Sequence, residues 1–189
     1  GVYEQNFLDR TSILRSQLYS SSDTDKKWNA AYSLYEEYLS YDIDSALVYS
    51  GMLQALADNK DKEMVAAGSQ VPCLCALRMY SAAKDILNSI DTTDLGSNEL
   101  QAYYKAHIAL YTSLGNEFSR EKTSSKENKK KRYYYQDLLC KLPTLSDNEH
   151  TYMRGKQLML EGDYDQALDS LYKVLKVDVI TSSRLHTTY

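Results

Sequence analysis

Between Glu161 and Val179 the chain reads EGDYDQALDSLYKVLKVDV, with apolar or small side chains at Tyr164, Ala167, Leu168, Leu171, Val174, Leu175 and Val177. Steps of three and four place these residues along one side of an α-helix. Just upstream, EHTYMRGKQLMLEG does the same with Tyr152, Gly155, Leu158 and Met159. Gly162 and Asp163 interrupt the pattern, a glycine suited to ending one helix and an aspartate suited to capping the next. The spacing predicts two antiparallel helices joined by a tight turn.

The same two-helix pattern recurs along the chain. DKKWNAAYSLYEEYLS is followed by YDIDSALVYSGMLQALADN, with Ala46 in the place of Ala167. In RMYSAAKDILNSID, Tyr80, Ala83, Leu87 and Ile90 repeat the spacing of Tyr164, Ala167, Leu171 and Val174. The first helix of that copy is expected from about Glu63 to Leu77, and Pro72 inside it should kink or shorten it. SNELQAYYKAHIALYTSLGNEF carries Tyr104, Ile108 and Tyr111 on one face, and RYYYQDLLCKLP supplies its partner up to Pro143. A leading helix, FLDRTSILRSQL, precedes the first hairpin, and SSRLHTTY reads as a further helix cut short at Tyr189. The expectation is one all-α domain over residues 1–189, an α-solenoid of about four antiparallel hairpins ending within a further repeat.

Composition agrees with helices: 7 Gly and 2 Pro in 189 residues are too few for a sheet protein with many tight turns. No apolar run approaches the ~20 residues of a membrane-spanning helix. GVYEQNFLDR lacks the basic-then-apolar order of a signal peptide, and Gly1 reads as the remnant of a removed leader or tag. Cys73, Cys75 and Cys140 imply no disulfide framework and leave the compartment open. The net charge of −4 is unevenly spread, because the stretch from Arg120 to Arg132 holds seven Lys/Arg against two Glu. That local +5 leaves −9 for the rest. The segment SREKTSSKENKKKR has no apolar periodicity, so residues 119–130 are expected to form a solvated basic loop inserted between two helices.

The last hairpin resembles a tetratricopeptide repeat (TPR), a ~34-residue helical hairpin. Gly155 matches the small residue of its first helix, Leu158 the large apolar residue that follows, Ala167 the alanine of the second helix and Leu171 the bulky residue four later. Thr151 and Arg154 stand where tryptophan and leucine are usual, and Val179 replaces the closing proline. The resemblance implies a right-handed superhelix of stacked hairpins. The order of pieces, from the leading helix through LYEEYLSYDIDSALVYS and ALRMYSAAKDILNSID to GDYDQALDSL, resembles the sensor region of Bacteroidetes regulators. In that group a secreted TPR region precedes a transmembrane helix and a cytoplasmic helix-turn-helix, which implies a position on the periplasmic side of an inner membrane.

Nothing in the chain spells out catalysis. His107, His150 and His186 are scattered, no metal-binding spacing or phosphate loop occurs, and Cys73-Leu74-Cys75 is not a C-x-x-C pair. No catalytic residue, metal ligand or cofactor is expected, and Cys73, Cys75 and His107 read as packed side chains. A solenoid works instead through a concave surface lined by first helices. The contact residues expected there are Trp28, Tyr35 and Tyr38 in one repeat, and Glu149, Tyr152, Lys156 and Met159 in the last. Three readings follow: a module sensing a protein or peptide, or a glycan, for a regulator; a cytoplasmic scaffold for protein assembly; and, third, nucleic-acid binding by the lysine-rich segment, which lacks base-reading groups. Contact with a membrane is expected only through segments outside these residues, and self-association remains open.

Overall fold

The computed structural model describes the backbone of residues 2–186 and the side chains of residues 4–159 and 161–175. The described residues form helices and connecting turns only: α1 (Val2–Ser20), α2 (Thr24–Leu39), α3 (Ile43–Leu56), α4 (Lys60–Ala76), α5 (Tyr80–Ser89), α6 (Ser97–Glu117), α7 (Lys122–Cys140), α8 (Asp147–Glu161) and α9 (Tyr164–His186). This is the all-α hairpin array that the spacing predicts. The chain divides into two compact units, Gly1–Tyr135 and Gln136–Tyr189.

In the first unit α1 leans on α2, α2 pairs with α3, and α4 packs on α3, α5 and α6. Local chemistry fixes where these helices begin. Asp23 caps α2 by accepting from the amides of Asp25 and Lys26, Asp42 caps α3, and Asn59 caps α4. The core has two centres. One gathers Leu34, Ala46, Leu53 and Ala66 around Tyr35, Tyr38 and Tyr49, and the other gathers Val71, Leu74, Ala83, Leu87 and Leu110. Ala46, Ala83 and Leu87, which the repeat spacing picks out, lie in these centres.

The second unit takes in the C-terminal end of α7 from Gln136 and the hairpin α8–α9. Ser146 and Glu149 form a complete capping box at the start of α8. Gly162 closes α8 in the left-handed region at φ 87°, and Asp163 accepts from the Gln166 amide to start α9. Ala167 and Leu158 are buried between the two helices. Gly155 sits where a Cβ would meet Leu171 side-chain carbons at 3.0 Å. Gly155, Leu158, Ala167 and Leu171 thus meet at the seam of the hairpin as their spacing predicts.

Three expectations differ from what forms. Residues 119–130 are not a loop insertion: the turn is confined to the residues between Glu117 and Lys122, and the basic stretch is the N-terminal half of α7. Lys, Glu and Ser cost little in a helix, and no glycine or proline breaks residues 120–140. Pro72 does not shorten α4, which continues to Ala76 because Val71, Cys73, Leu74 and Cys75 are held in the core on both sides of it. No separate helix starts at Ser182, since α9 runs on to His186; residues 187–189 of that expectation lie outside the described residues.

Arg78 takes the place a glycine often fills. It closes α4 with φ 59°, donating its amide to the Cys75 carbonyl while the Met79 amide reaches Leu74. The paired bonds hold a left-handed residue without glycine's freedom.

Candidate functional site

The first helices of the first unit, α2, α4 and α6, border an open cleft of about 380 Å³. Tyr32 and Tyr35 form the α2 wall, Val65, Gly68, Ser69 and Pro72 the α4 floor, and Asn98, Gln101, Ala102 and Lys105 the α6 wall. On α2, Trp28, Tyr32 and Tyr35 follow one another at the four-then-three spacing that keeps side chains on one face. The Trp28 and Tyr32 rings stack at 5.5 Å with 7° between their planes, and Tyr35 follows at 6.0 Å from Tyr32. Lys62 lies 5.8 Å above the Trp28 ring and is anchored by Asp25 and Asp58. An aromatic row thus leads into the cleft from a charged end.

The cleft offers hydrogen-bonding groups of two kinds. Burial pushes the Tyr35 hydroxyl well above its ordinary value, and burial together with Glu36 raises that of Tyr32, so both are neutral at physiological pH. Pro72 has no N–H, so the Gly68 carbonyl, one helical turn earlier, lacks the amide it would otherwise bond. The proline that leaves α4 unshortened removes one rung of its hydrogen-bond ladder at the cleft. Gly68 lies against α6, where a Cβ would meet the Ala102 carbonyl at an ordinary contact distance of 3.5 Å.

The residues expected as contacts are placed unevenly. Tyr35 lines the cleft and Trp28 extends its aromatic wall. Tyr38 does not: both tyrosines are nearly buried, 6% and 5% exposed, but Tyr38 has Phe7 edge-on at 5.2 Å, Tyr49 stacked at 5.4 Å and its hydroxyl bonded by Arg15. The step from Tyr35 to Tyr38 turns the side chain toward α1 and α3. In the second unit Glu149 is the reciprocal half of the Ser146 capping box. Tyr152 and Met159 are exposed, and Lys156 lies 4.9 Å over the Tyr152 ring. Glu149 and Tyr152 border an apolar hollow of about 520 Å³ with Leu171, Val174 and Leu175. Tyr32 and the α6 residues went unnamed in the sequence reading; the spacing of Trp28, Tyr32 and Tyr35 was the signal for the first, whereas the polar α6 residues look like any solvated face.

The titratable groups that could suggest chemistry are packed. His107 is 6% exposed, stacked on Tyr135 at 4.0 Å and edge-on to Tyr103 at 4.5 Å, and burial lowers its pKa to about 4. Neither ring nitrogen has a hydrogen-bond partner among the described residues. Burial raises the Cys73 thiol to about 11 and the Cys75 thiol in the same direction, which keeps both protonated and unreactive. Among the described residues no cluster of His, Cys, Asp and Glu could hold a metal ion, and no helix is long and apolar enough to cross a membrane.

The family model described as the SusR N-terminal TPR domain matches residues 1–185. The chain belongs to that family. No curated protein and no solved structure matches it. The SusR-type TPR domain is thus a repeat module for protein interaction, with first helices that border a cleft as a TPR array requires.

Proposed function

We propose that this SusR-type TPR domain is the ligand-sensing, extracytoplasmic part of a membrane-anchored transcriptional regulator, and that its ligand is an extended protein or peptide segment held in the α2–α4–α6 cleft. The observation that carries this reading is the cleft itself: a row of aromatic rings on α2 faces amide side chains on α6 across a floor of small residues. Aromatic side chains give large contact area at low entropic cost, and a backbone carbonyl and amides fix the register of a chain laid along them. A glycan is the second ligand class, recognised by the same pairing of ring faces and amides. In the second unit, Tyr152, Lys156 and Met159 form a separate candidate contact surface on α8. The family match supports the regulator assignment through its resemblance to SusR.

The chain's single tryptophan is a built-in probe, because it stacks on the cleft residue Tyr32. Proteins and peptides from a periplasmic extract, and in parallel oligosaccharide pools, are fractionated and titrated while Trp28 emission is followed. The expected outcome is a saturable change from the periplasmic fractions, weakened at least tenfold by Tyr32→Ala, which removes a half-buried ring, and unaffected by Tyr172→Ala. Binding confined to cytosolic fractions would favour a cytoplasmic scaffold. Equal loss on Tyr172→Ala would remove the cleft assignment.

A further inference from the structure

The N-terminal half of α7 departs from the charge pattern of most other helices. Acidic residues stand in the first turn of α2, α3, α4, α6 and α8, where the helix dipole favours them, whereas α5 and α7 have none; α7 begins with Lys122, and the carboxylate just before it, Glu121, accepts from Ser124. Lys122, Lys126 and Lys130 follow at four-residue steps, so like charges sit on neighbouring turns, an arrangement that weakens a helix. Lys129 joins them, and the four lysines fall within an arc of about 100° over about 12 Å of helix. All four are exposed, and none has a carboxylate or aromatic partner among the described residues. Elsewhere Lys62 and Lys141 each meet an aspartate four positions away. Nor is this helix merely loose at the surface: Tyr135 of α7 stacks on the buried His107 of α6, and Lys131 lies over the Tyr111 ring.

We propose that the Lys122–Lys126–Lys129–Lys130 face of α7 docks on an anionic lipid bilayer. The stripe is convex and carries charge alone. Between Lys122 and Lys130 this face holds no Asn, Gln, Arg or aromatic side chain, so it offers point charges without a hydrogen-bonding or stacking set for bases, which suits a lattice of headgroups. Because Tyr135 and Lys131 of α7 are held against the His107 and Tyr111 rings of α6, the helix adsorbs without inserting. Charge complementarity also sets direction: the basic segment carries +5 and the rest of the chain −9, so an anionic surface attracts this face and repels the remainder. The lysine repulsion built into α7 is relieved by the headgroups. This contact is independent of the cleft and of what fills it.

The test is flotation of the whole chain with vesicles of phosphatidylcholine alone or with about 30% phosphatidylglycerol, at about 50 mM salt. Partitioning is expected only with phosphatidylglycerol and should fall steeply as salt rises. Lys122→Gln with Lys126→Gln and Lys130→Gln should reduce it about a hundredfold, given the ordinary contribution of each lysine at an anionic surface. The same variant should melt no lower than the parent, which separates lost docking from lost folding. The proposal is overturned if the parent fails to partition, if it binds neutral vesicles equally, if the variant partitions like the parent, or if a short DNA or RNA duplex binds this face more tightly than the vesicles do.

Discussion

Gly155 offers the sharpest test of the hairpin. A Cβ built there would lie 3.0 Å from Cγ and Cδ2 of Leu171 and 3.2 Å from Cβ of Ser170. Leu171 is only half-buried and can swing outward, whereas the Ser170 Cβ is fixed by the backbone of α9. For Gly155→Ala the cost of that contact sets itself against about 1 kcal/mol gained in helix propensity, so the net change should be close to zero. For Gly155→Leu the extra atoms have nowhere to go without parting α8 from α9, and about 1–3 kcal/mol of stability should be lost. Ala167→Arg is harsher. Ala167 is 1% exposed, and an unpaired guanidinium buried there should cost about 3 kcal/mol or more. Lys156→Leu, one residue beyond the glycine, gives up an exposed contact over the Tyr152 ring worth about 0.5 kcal/mol. Thermal and urea unfolding of the whole chain, followed by far-ultraviolet circular dichroism, should rank Ala167→Arg lowest, then Gly155→Leu, with Gly155→Ala and Lys156→Leu near the parent. Coincident midpoints for Gly155→Leu and Lys156→Leu would refute the register of the repeat.

Other consequences are as direct. Pro72→Ala should return the missing amide to the Gly68 carbonyl and raise stability by about 1–2 kcal/mol, less than the intrinsic helix cost of proline because the unfolded chain also gains freedom; a lowered melting temperature would contradict this. Ser146→Ala removes the capping box of α8 and should cost about 1 kcal/mol in the same unfolding assay. Burial lowers the pKa of His107 to about 4 from an ordinary 6.5, so the folded state favours the neutral ring. Its contribution is complete above about pH 6.5 and is lost as pH falls toward 4, by up to about 3 kcal/mol. His107→Phe should flatten that acid limb relative to the parent in urea titrations between those pH values, and an unchanged limb would mean that the imidazole is not buried in solution.

Hairpins were legible because their signals are local. Gly155, Leu158, Ala167 and Leu171 mark a close approach between adjacent helices, and the Gly162–Asp163 pair carries its own turn chemistry, so spacing alone recovers the contact. Pro72 was misjudged for the opposite reason. Its cost is local, but the burial of Val71, Cys73, Leu74 and Cys75 that outweighs it comes from contacts with α3, α5 and α6, which the spacing within α4 does not display. The basic stretch was misjudged because absence of an apolar stripe argues against burial, not against helix. Lys122–Lys131 needs only to be continuous with Tyr135 and Leu139, which are packed, for the helix to extend outward from its anchored end.

The cleft residues divide along the same line. Tyr35 and Tyr38 are one turn apart on α2 and equally aromatic, yet one faces the cleft and the other fills the seam with Phe7 and Tyr49. Nothing in their identity separates them; the separation comes from which neighbours α1 and α4 place on each side of α2. A tyrosine at either position satisfies the hairpin, because its ring can pack while its hydroxyl finds a partner or solvent. The inward choice therefore needs a second constraint. Trp28 and Tyr32 supply it, since a stacked pair one turn apart extends a flat apolar wall only in line with Tyr35. That makes Tyr32, rather than Tyr38, the residue whose loss should separate ligand binding from folding: removing Tyr38 opens the α1–α2–α3 core, while removing Tyr32 takes a half-buried ring from a surface already open to water.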